Sequence, residues 1–326
     1  MSQPITNQIG DIIRAHQSFL VAGHVRPDGD VLACQIALGL TLQSLGKTVE
    51  VWNPDGMSRK YSFLPHSDLV CRPPKKPRAF DVIIAVDTAT HDRLGSIRER
   101  IASRKVFLNL DHHHSNTRYG EINWIEPAAA ASGELVHQLL RDNRWPVTPA
   151  IAANLFIAIA TDTGSFQYSN TTPHTLRLAA ELVEAGANVA ELSRQCFQSY
   201  PLGRVRLVQL ALAGMKLSAD NRVAFVWLTP EMYRQSGALH KDSEGLIDHV
   251  RAIDSVIVAA IFEQDDGGII RISLRSKSDK VNVDKVAAKF GGGGHAAAAG
   301  ARIPGEAAAV EAAVLKAIED AVRAAA

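Results

Sequence analysis

The chain has 326 residues, of which 46% are apolar and 21% charged, and its formal net charge is +1. This composition supplies enough apolar surface for a folded core and excludes a disordered protein. The near-zero charge also argues against a protein that coats long nucleic acid, because such proteins carry a strong positive field. At roughly 100–200 residues per domain, the length favours two domains.

The cysteines and the amino-terminal sequence indicate in which cellular compartment the protein is expected. The three cysteines are widely spaced, form no CxxC motif and are odd in number, which favours a reducing environment. The first residues are polar and lack the apolar run of a secretory signal. The sequence has no run of about 18 apolar residues that would cross a membrane. We therefore expect a cytoplasmic protein without a membrane segment.

Apolar strands alternate with amphipathic helices in the first half of the chain. The predicted strands cover 19–24, 48–52, 80–88 and 105–113, and the predicted helices cover 31–45, 132–143, 149–160 and 173–186. Near-continuous apolar runs are typical of strands that are buried on both faces of a parallel sheet. The pattern predicts an α/β domain over 1–186 with right-handed crossovers.

A helical, polar segment at 187–217 is expected to link this domain to a second, smaller α/β domain at 218–326. The second domain is predicted to contain strands at 222–229, 255–262 and 268–276, a helix at 283–290, the glycine-rich stretch 291–300 and an Ala-rich terminal helix. The amphipathic pattern of that last helix indicates packing rather than chemistry.

Acidic residues and histidines follow four elements of the first half. They are His24, Asp28, Asp30, Asp87, Asp111, His112, His113 and Asp162. The first seven follow predicted parallel strands, and the carboxyl ends of such strands meet at one edge of a sheet, where ligands bind. Oxygen and imidazole ligands without thiolate suit Mn²⁺, with Mg²⁺ or Fe²⁺ as alternatives, better than structural Zn²⁺. So many ligands favour two metal ions that share a carboxylate and activate water for phosphoryl displacement.

Each of these motifs also has a purely structural interpretation. The Asp28–Asp30 pair could cap a helix, Asp87 could cap the next one, and Asp162 could form a turn. Cys34 lies inside the first long helix and is expected to pack there. The matching positions of the motifs along one sheet favour a shared site over separate caps and turns.

The stretch GGGGHAAAAG predicts a phosphate-binding element in the second domain. Glycines allow the backbone to approach a ligand, exposed N–H groups before a helix bind anions, and His295 adds a donor. Arg271, Arg275 and Lys277 lie at alternate positions of the preceding strand, with Arg275 and Lys277 on one face beside Ser273. A flexible loop and a solvated edge strand are the structural alternatives.

Taken together, these motifs resemble the DHH phosphoesterase superfamily with a DHHA1 domain. The resemblance rests on H-x-x-P-D-G-D, an isolated strand-end Asp, D-H-H, T-D-T-G and G-G-G-H-x-x-A-A-G, in that order over nearly the whole chain. Length and composition are similar to those of the NrnA type, the bifunctional oligoribonucleases and phosphatases of 3′-phosphoadenosine-5′-phosphate (pAp). The resemblance implies a parallel-sheet DHH catalytic domain, a helical linker and a DHHA1 substrate-binding domain.

The resemblance also implies a role for each matching residue. One Mn²⁺ would bind His24, Asp28 and Asp87, and the second would bind Asp30, Asp87, His112 and Asp162. The catalytic positions would be Asp111, which orients His112, and His113, which contacts the scissile phosphate or protonates the leaving group. Substrate would be bound by Arg275, Lys277, Gly292, Gly293, Gly294 and His295. The chain departs from the common pattern at Ala33-Cys34, where many members have Gly-Ser, and His114 receives no role.

The expected reaction is hydrolysis of short RNA from one end, and removal of a phosphate from pAp in the same site. The glycine segment argues against a family II pyrophosphatase, and the length leaves no room for the OB-fold of RecJ exonucleases. A phosphodiesterase for cyclic dinucleotides or their linear products, and a RecJ-like single-strand exonuclease, are the enzymatic alternatives. The non-enzymatic alternative is a nucleotide-binding regulator with a vestigial site, but such a protein would be expected to lack one or more of the metal ligands. A homodimer is a possible oligomeric state.

Overall fold

The computed structural model describes residues 3–264 and 267–325. Two compact units make up the chain, one ending at Ser199 and the other beginning at Tyr200. Each unit has its own sheet and its own apolar core, and both mix helices with strands. The predicted α/β fold class is confirmed.

The first unit alternates strands and helices. Its strands are β1 (Ser18–Ala22), β2 (Thr48–Trp52), β3 (Val70–Cys71), β4 (Arg78–Ala79), β5 (Val82–Val86), β6 (Ile101–Ser103), β7 (Val106–Asp111) and β8 (Ile122–Ile125). Its helices are α1 (Ile5–Ala15), α2 (Gly29–Ser44), α3 (Ser132–Asp142), α4 (Pro149–Asp162), α5 (Pro173–Glu184) and α6 (Val189–Phe197).

The main sheet of the first unit is parallel throughout and has the order β3-β2-β1-β5-β7-β8. Strand β5 is buried along its whole length, as the apolar run in its sequence predicts. The sequence interpretation missed β8, a strand of only four residues of which Trp124 alone is buried. Strands β4 and β6 form a separate two-stranded sheet.

Helices α2 and α4 are buried on most sides and pack against each other. Gly29 at the start of α2 makes this close approach feasible: a Cβ there would lie 2.5 Å from Cγ2 of Thr161 in α4. The packing therefore brings the first turn of α2, with Asp30, next to the last turn of α4, with Asp162.

The second unit has one mixed six-stranded sheet in the order β13-β14-β12-β11-β10-β9. Its strands are β9 (Lys216–Leu217), β10 (Val223–Leu228), β11 (Val258–Gln264), β12 (Ile269–Ser276), β13 (Gly293–His295) and β14 (Ala298–Pro304). Its helices are α7 (Leu202–Ala213), α8 (Pro230–Ser236), α9 (Leu246–Arg251), α10 (Val283–Ala288) and α11 (Ala307–Ala324). Among the described residues, none of the helices has the length and apolar character needed to cross a membrane.

The segment 187–217, expected as a linker, is divided between the two units. Helix α6 packs through Leu192 and Cys196 into the core of the first unit. Helix α7 packs through Leu207 and Ala211 into a cluster of the second unit. Both helices therefore belong to domain cores, since their apolar residues are buried there.

Candidate metal centre

The predicted acidic and histidine residues gather at the carboxyl ends of β1, β5 and β7. His24 lies two residues beyond β1, Asp87 directly follows β5, and Asp111 is the last residue of β7 with His112 after it. Because these strands are neighbours in a parallel sheet, their ends meet at one edge. The loops after the strands thus carry the site, as the sequence predicts.

Asp87 lies at the centre of this group. Its Oδ2 is 3.6 Å from Nε2 of His24, and its Oδ1 is 3.6 Å from Nε2 of His112 and 3.6 Å from Nδ1 of His113. The residue is 1% exposed and its backbone has a φ of 52°, which is uncommon for a residue other than glycine. Its two carboxylate oxygens face different histidines, which is the arrangement that a bridging ligand requires.

The first potential metal-binding group combines His24, Asp28 and Asp87, whose ligand atoms lie within 4.8 Å of one another. Oδ2 of Asp28 is 3.6 Å from Nε2 of His24. The other oxygen of Asp28 accepts a hydrogen bond from the N–H of Val31 at 3.1 Å and caps α2. The capping and ligand interpretations of Asp28 are thus compatible, because each uses a different oxygen.

The second group combines Asp30, His112 and Asp162, again with ligand atoms within 4.8 Å of one another. Nε2 of His112 is 3.1 Å from Oδ2 of Asp162 and 3.9 Å from Oδ2 of Asp30. The ring is fixed from its other side, where Nδ1 lies 3.2 Å from the carbonyl oxygen of Ala129. A proton on Nδ1 leaves Nε2 to face the carboxylates.

Asp30 is fully buried and is held by the amino-terminal turn of α3. The sequence analysis predicted this helix but not its contact with Asp30. Its oxygens accept hydrogen bonds from the N–H of Ser132 at 2.7 Å and of Gly133 at 3.0 Å. The hydroxyl of Ser132 also donates to Oδ1 of Asp87 at 2.9 Å. One helix terminus therefore positions two carboxylates, and the Ser-Gly pair at a helix start was the available signal.

Cys34 is buried, as expected for a packed residue, but it also touches the site. Its thiol donates a hydrogen bond to Oδ1 of Asp30 at 3.1 Å. Burial, together with the charges of Asp30 and Asp87, raises the pKa of this thiol well above its usual range. The thiol thus remains protonated and acts as a weak donor, so Cys34 of the Ala33-Cys34 pair makes a contact with Asp30.

Asp111 holds His113, not the ring of His112, which corrects the expected partnership. Oδ1 of Asp111 is 2.7 Å from Nδ1 of His113, whereas it meets His112 only through the backbone N–H at 2.8 Å. The ring of His112 is held instead by the carbonyl oxygen of Ala129. The side-chain amide of Asn116 donates to the other oxygen of Asp111 at 2.5 Å. His114 is exposed.

The carboxylates decide the protonation of the histidines. Burial lowers the pKa of His24, but hydrogen bonds and charges from Asp28 and Asp87 outweigh burial and raise it to about 10. Burial likewise opposes the charged form of His112, whereas Asp162, Asp87 and Asp30 raise its pKa to about 11. Both rings are therefore cationic near neutral pH when only protein groups surround them.

The carboxylates themselves have divergent proton affinities. Burial and the charges of Asp87 and Asp162 raise the pKa of Asp30 well above its usual range. Burial also raises that of Asp162 to about 6. For Asp87, burial favours the neutral form, but His24, His112 and His113 lower its pKa below the usual range. Crowded carboxylates around imidazoles form a donor set that suits divalent cations, which would take over the balancing charge of the protons.

The glycine stretch of the second unit forms a β-hairpin, which corrects the expectation that it precedes a helix. Strands β13 and β14 pair directly, with Gly293 opposite Gly300 and His295 opposite Ala298. Glycine is required because a Cβ on Gly292 would lie 2.2 Å from the carbonyl oxygen of Gly300. The small residues therefore serve close strand packing, not helix packing.

The sheet register aligns two of the predicted substrate-binding residues. Arg275 of β12 is opposite Ala298 of β14, and Ala298 is opposite His295 of β13. Directly opposed residues of antiparallel strands point to the same face, so Arg275 and His295 flank one small side chain. At about 4.8 Å per strand, their backbones are roughly 10 Å apart.

Three other polar groups that the sequence analysis names in the second unit are engaged by the protein itself. The ammonium of Lys277 donates to the carbonyl oxygens of Ile253 at 2.6 Å and Asp254 at 3.1 Å. The N–H of Gly294 donates to Oδ1 of Asp284 at 2.7 Å. The guanidinium of Arg271 is paired with the buried Glu263. Self-contacts of this kind compete with ligand binding.

Comparison with known proteins agrees with this architecture. Residues 18–159 match the model of the DHH family, N-terminal domain, and residues 220–324 match that of the DHHA1 domain. The chain also has the fold of an exopolyphosphatase-related protein from Bacteroides fragilis, with a TM-score of 0.91 at 24% identity over 98% of this chain and 96% of that one.

Sequence relatives cover almost the full length. The bifunctional oligoribonuclease and PAP phosphatase NrnA of Thermus thermophilus is 30% identical over 91% of this chain and 88% of its own length. The protein of the same name from Bacillus subtilis is 26% identical over 89% of this chain and 91% of its own length. The chain therefore belongs to the DHH family of phosphoesterases, with a carboxyl-terminal DHHA1 domain.

Proposed function

We propose that this protein is a manganese-dependent phosphoesterase that hydrolyses short oligoribonucleotides and pAp. The observation that carries the proposal is the position of Asp87 between the two potential metal-binding groups, with one oxygen 3.6 Å from Nε2 of His24 and the other 3.6 Å from Nε2 of His112. The relatives named above as oligoribonuclease and PAP phosphatase support the choice of substrates. The same site would thus hydrolyse a phosphodiester bond in the oligoribonucleotides and a phosphomonoester bond in pAp.

The ligand assignment follows the two groups. His24, Asp28 and Asp87 would hold one ion, and Asp30, Asp87, His112 and Asp162 would hold the other. Carboxylates mixed with imidazoles favour Mn²⁺, with Mg²⁺ or Fe²⁺ as alternatives. Two such ions would lower the pKa of an attacking water and neutralise charge on the phosphoryl oxygens.

His113 is assigned the contact with the scissile phosphate or the proton transfer to the leaving group. Its Nδ1 is 2.7 Å from the carboxylate of Asp111, which fixes the ring and stabilises its protonated form. Burial lowers the pKa of His113, but Asp111 and Asp87 outweigh it and raise the pKa above the usual value. The raised pKa favours the imidazolium form of His113, which can donate a proton, with Asp111 as a positioning residue.

In the second unit, we assign binding of the substrate's terminal phosphate or nucleotide to Arg275, Lys277, His295 and the glycines Gly292, Gly293 and Gly294. The shared face of Arg275 and His295 supports this, because a guanidinium and an imidazole together offer charge-assisted hydrogen bonds to phosphate. A net charge of +1 suits short substrates, since affinity for long polymers grows with the number of phosphates neutralised.

The test is a comparison of substrates with the Mn²⁺-loaded protein. The substrates are pAp, a 5′-phosphorylated diribonucleotide, a linear cyclic-di-GMP product and a long single-stranded DNA. We expect the highest kcat/KM with pAp and the diribonucleotide. Faster hydrolysis of the long DNA would instead support a RecJ-like exonuclease, and preference for the linear product would support a cyclic-dinucleotide pathway enzyme.

A further inference from the structure

Arg93 lies next to the first of the two potential metal-binding groups. Its Nη2 is 3.1 Å from Nδ1 of His24. The residue belongs to the 3-10 segment His91–Arg100, which follows Asp87 in the chain. The N–H of Val25 donates to the carbonyl oxygen of Arg93 at 2.8 Å, so the backbones of the two segments are tied together. The backbone of Arg93 is therefore held at the loop that carries His24, and its guanidinium lies beside that histidine.

The two ring nitrogens of His24 have different surroundings. Nε2 is 3.6 Å from the carboxylates of both Asp28 and Asp87, so its lone pair is the one placed to bind a metal ion. Nδ1 lies 2.9 Å from the carbonyl oxygen of Val25, which can only accept a hydrogen bond. A histidine that binds metal through Nε2 thus keeps its proton on Nδ1.

This tautomer leaves Arg93 without an acceptor at His24. A protonated Nδ1 has no lone pair in the ring plane, and arginine is only a donor. Across residues 3–264 and 267–325, moreover, no carboxylate lies within ion-pair distance of Arg93. The side chain is only partly exposed, and a guanidinium that is partly removed from water is stabilised by an anionic partner.

We propose that Arg93 binds a non-bridging oxygen of the phosphate group whose ester bond is hydrolysed at the metal centre. The inference rests on the proposed function, because it takes the reacting group to be a phosphate ester. The planar guanidinium offers paired N–H donors that match phosphate oxygens, and its permanent charge would stabilise the phosphate beside the cations. Arg93 is then a substrate-binding residue of the first unit, which the sequence motifs did not reveal.

The test compares Arg93→Gln and Arg93→Lys with Arg98→Gln. Arg98 is a matched control, because it lies in the same 3-10 segment but pairs with the exposed Asp92. Three quantities are measured: kcat/KM with pAp and the diribonucleotide, affinity of the Mn²⁺-loaded protein for inorganic phosphate, and affinity for Mn²⁺ by calorimetry. Thermal unfolding midpoints confirm that each variant is folded.

We expect Arg93→Gln to lose about 10- to 100-fold in both kcat/KM and phosphate affinity, as for loss of a charge-assisted hydrogen bond. Mn²⁺ affinity should stay unchanged, Arg93→Lys should recover part of the loss, and Arg98→Gln should behave as the wild type. An Arg93→Gln protein with wild-type phosphate affinity would overturn the proposal. So would an equal loss of Mn²⁺ affinity, because Arg93 would then act only by positioning His24.

The two proposals can fail separately. If the wild type hydrolyses neither pAp nor the diribonucleotide, the proposed function is wrong. The phosphate affinities of the wild type and of Arg93→Gln still decide the role of Arg93 in that case. If the wild type hydrolyses both substrates and Arg93→Gln does so equally well, only the inference about Arg93 is wrong.

Discussion

The two units hold their candidate residues in opposite ways. In the first unit, Asp30 and Asp87 are buried, and neighbouring donors fix their oxygens. In the second unit, Gly293–His295 are exposed, and their arrangement comes from strand pairing. Metal chemistry needs fixed charges in a water-poor setting, whereas holding a substrate terminus requires only a matching surface. The first unit should therefore control turnover, and the second should control substrate affinity.

The largest expected effect comes from removing a metal ligand of the first unit. Asp162→Asn keeps the shape of the side chain but removes the charge that faces His112. We expect activity to fall on the order of 10⁴-fold, because one ion loses a ligand. Steady-state hydrolysis of pAp measures the loss, and circular dichroism controls for folding. A drop of less than tenfold would contradict the place of Asp162 in the site.

The next effect concerns proton transfer. His113→Gln should lower kcat about 1000-fold, within the range typical of general acid catalysis, while Mn²⁺ affinity changes little. His114→Gln is the matched control, since His114 is the exposed neighbour in the chain. Equal kcat values for the two variants would show that His113 has no part in the chemistry.

Metal affinity should depend on pH through the first unit alone. The folded-state pKa values of His24 and His112, about 10 and about 11, exceed the usual value, so both rings must lose protons to bind metal. In the metal-free protein, the ion pairs of these two protonated histidines stabilise the fold fully below about pH 6.5. This stabilisation is lost as the pH rises through the folded-state pKa values of the histidines. Between pH 7 and 8, Mn²⁺ affinity should therefore rise by about 100-fold if both protons are released.

Calorimetry in buffers with different ionisation enthalpies counts the protons released at each pH. A Mn²⁺ affinity that is constant between pH 7 and 8, with no proton release, would contradict the assigned ligands.

The smallest effect tests the second unit. Gly294 has a φ of 156°, and a Cβ there would lie 2.4 Å from the carbonyl oxygen of Ala298, whereas a Cβ on Gly293 would meet only Oδ1 of Asp284 at 3.5 Å. Gly294→Ala should thus distort the hairpin and raise KM about tenfold, with kcat nearly unchanged. Gly214→Ala, at the end of α7, is the control, because a Cβ there would lie 3.8 Å from its nearest neighbours. A fall in kcat for Gly294→Ala, with KM constant, would contradict the assignment of turnover to the first unit and of substrate affinity to the second.

The sequence predicted the parts of the site that depend on strand ends. Asp87 and His112 follow apolar runs, and parallel pairing of those runs brings them together. The predicted helix limits also agree closely, as at α3 and α4, because their ends carry clear breaks. Local patterns were sufficient wherever one periodic element determined the geometry.

Other parts of the candidate sites depend on contacts between residues that are distant in the sequence, and these could not be predicted. The N–H groups of Ser132 and Gly133 hold Asp30, 102 and 103 positions away, and backbone donors leave no side-chain signal in a sequence. The glycine stretch was assigned to a helix start because glycine permits many conformations, and only pairing with the neighbouring strand selects the hairpin. The proximity of Arg93 to His24 likewise arises from tertiary packing.

The central claim is that Asp87 is shared by two metal ions, and the most direct test counts the ions. Calorimetric titration with Mn²⁺ should give two ions bound per wild-type chain. Asp87→Asn should reduce this to one ion or none, because both groups lose the charge of the bridging carboxylate. Two ions bound by Asp87→Asn with wild-type affinity would contradict the account.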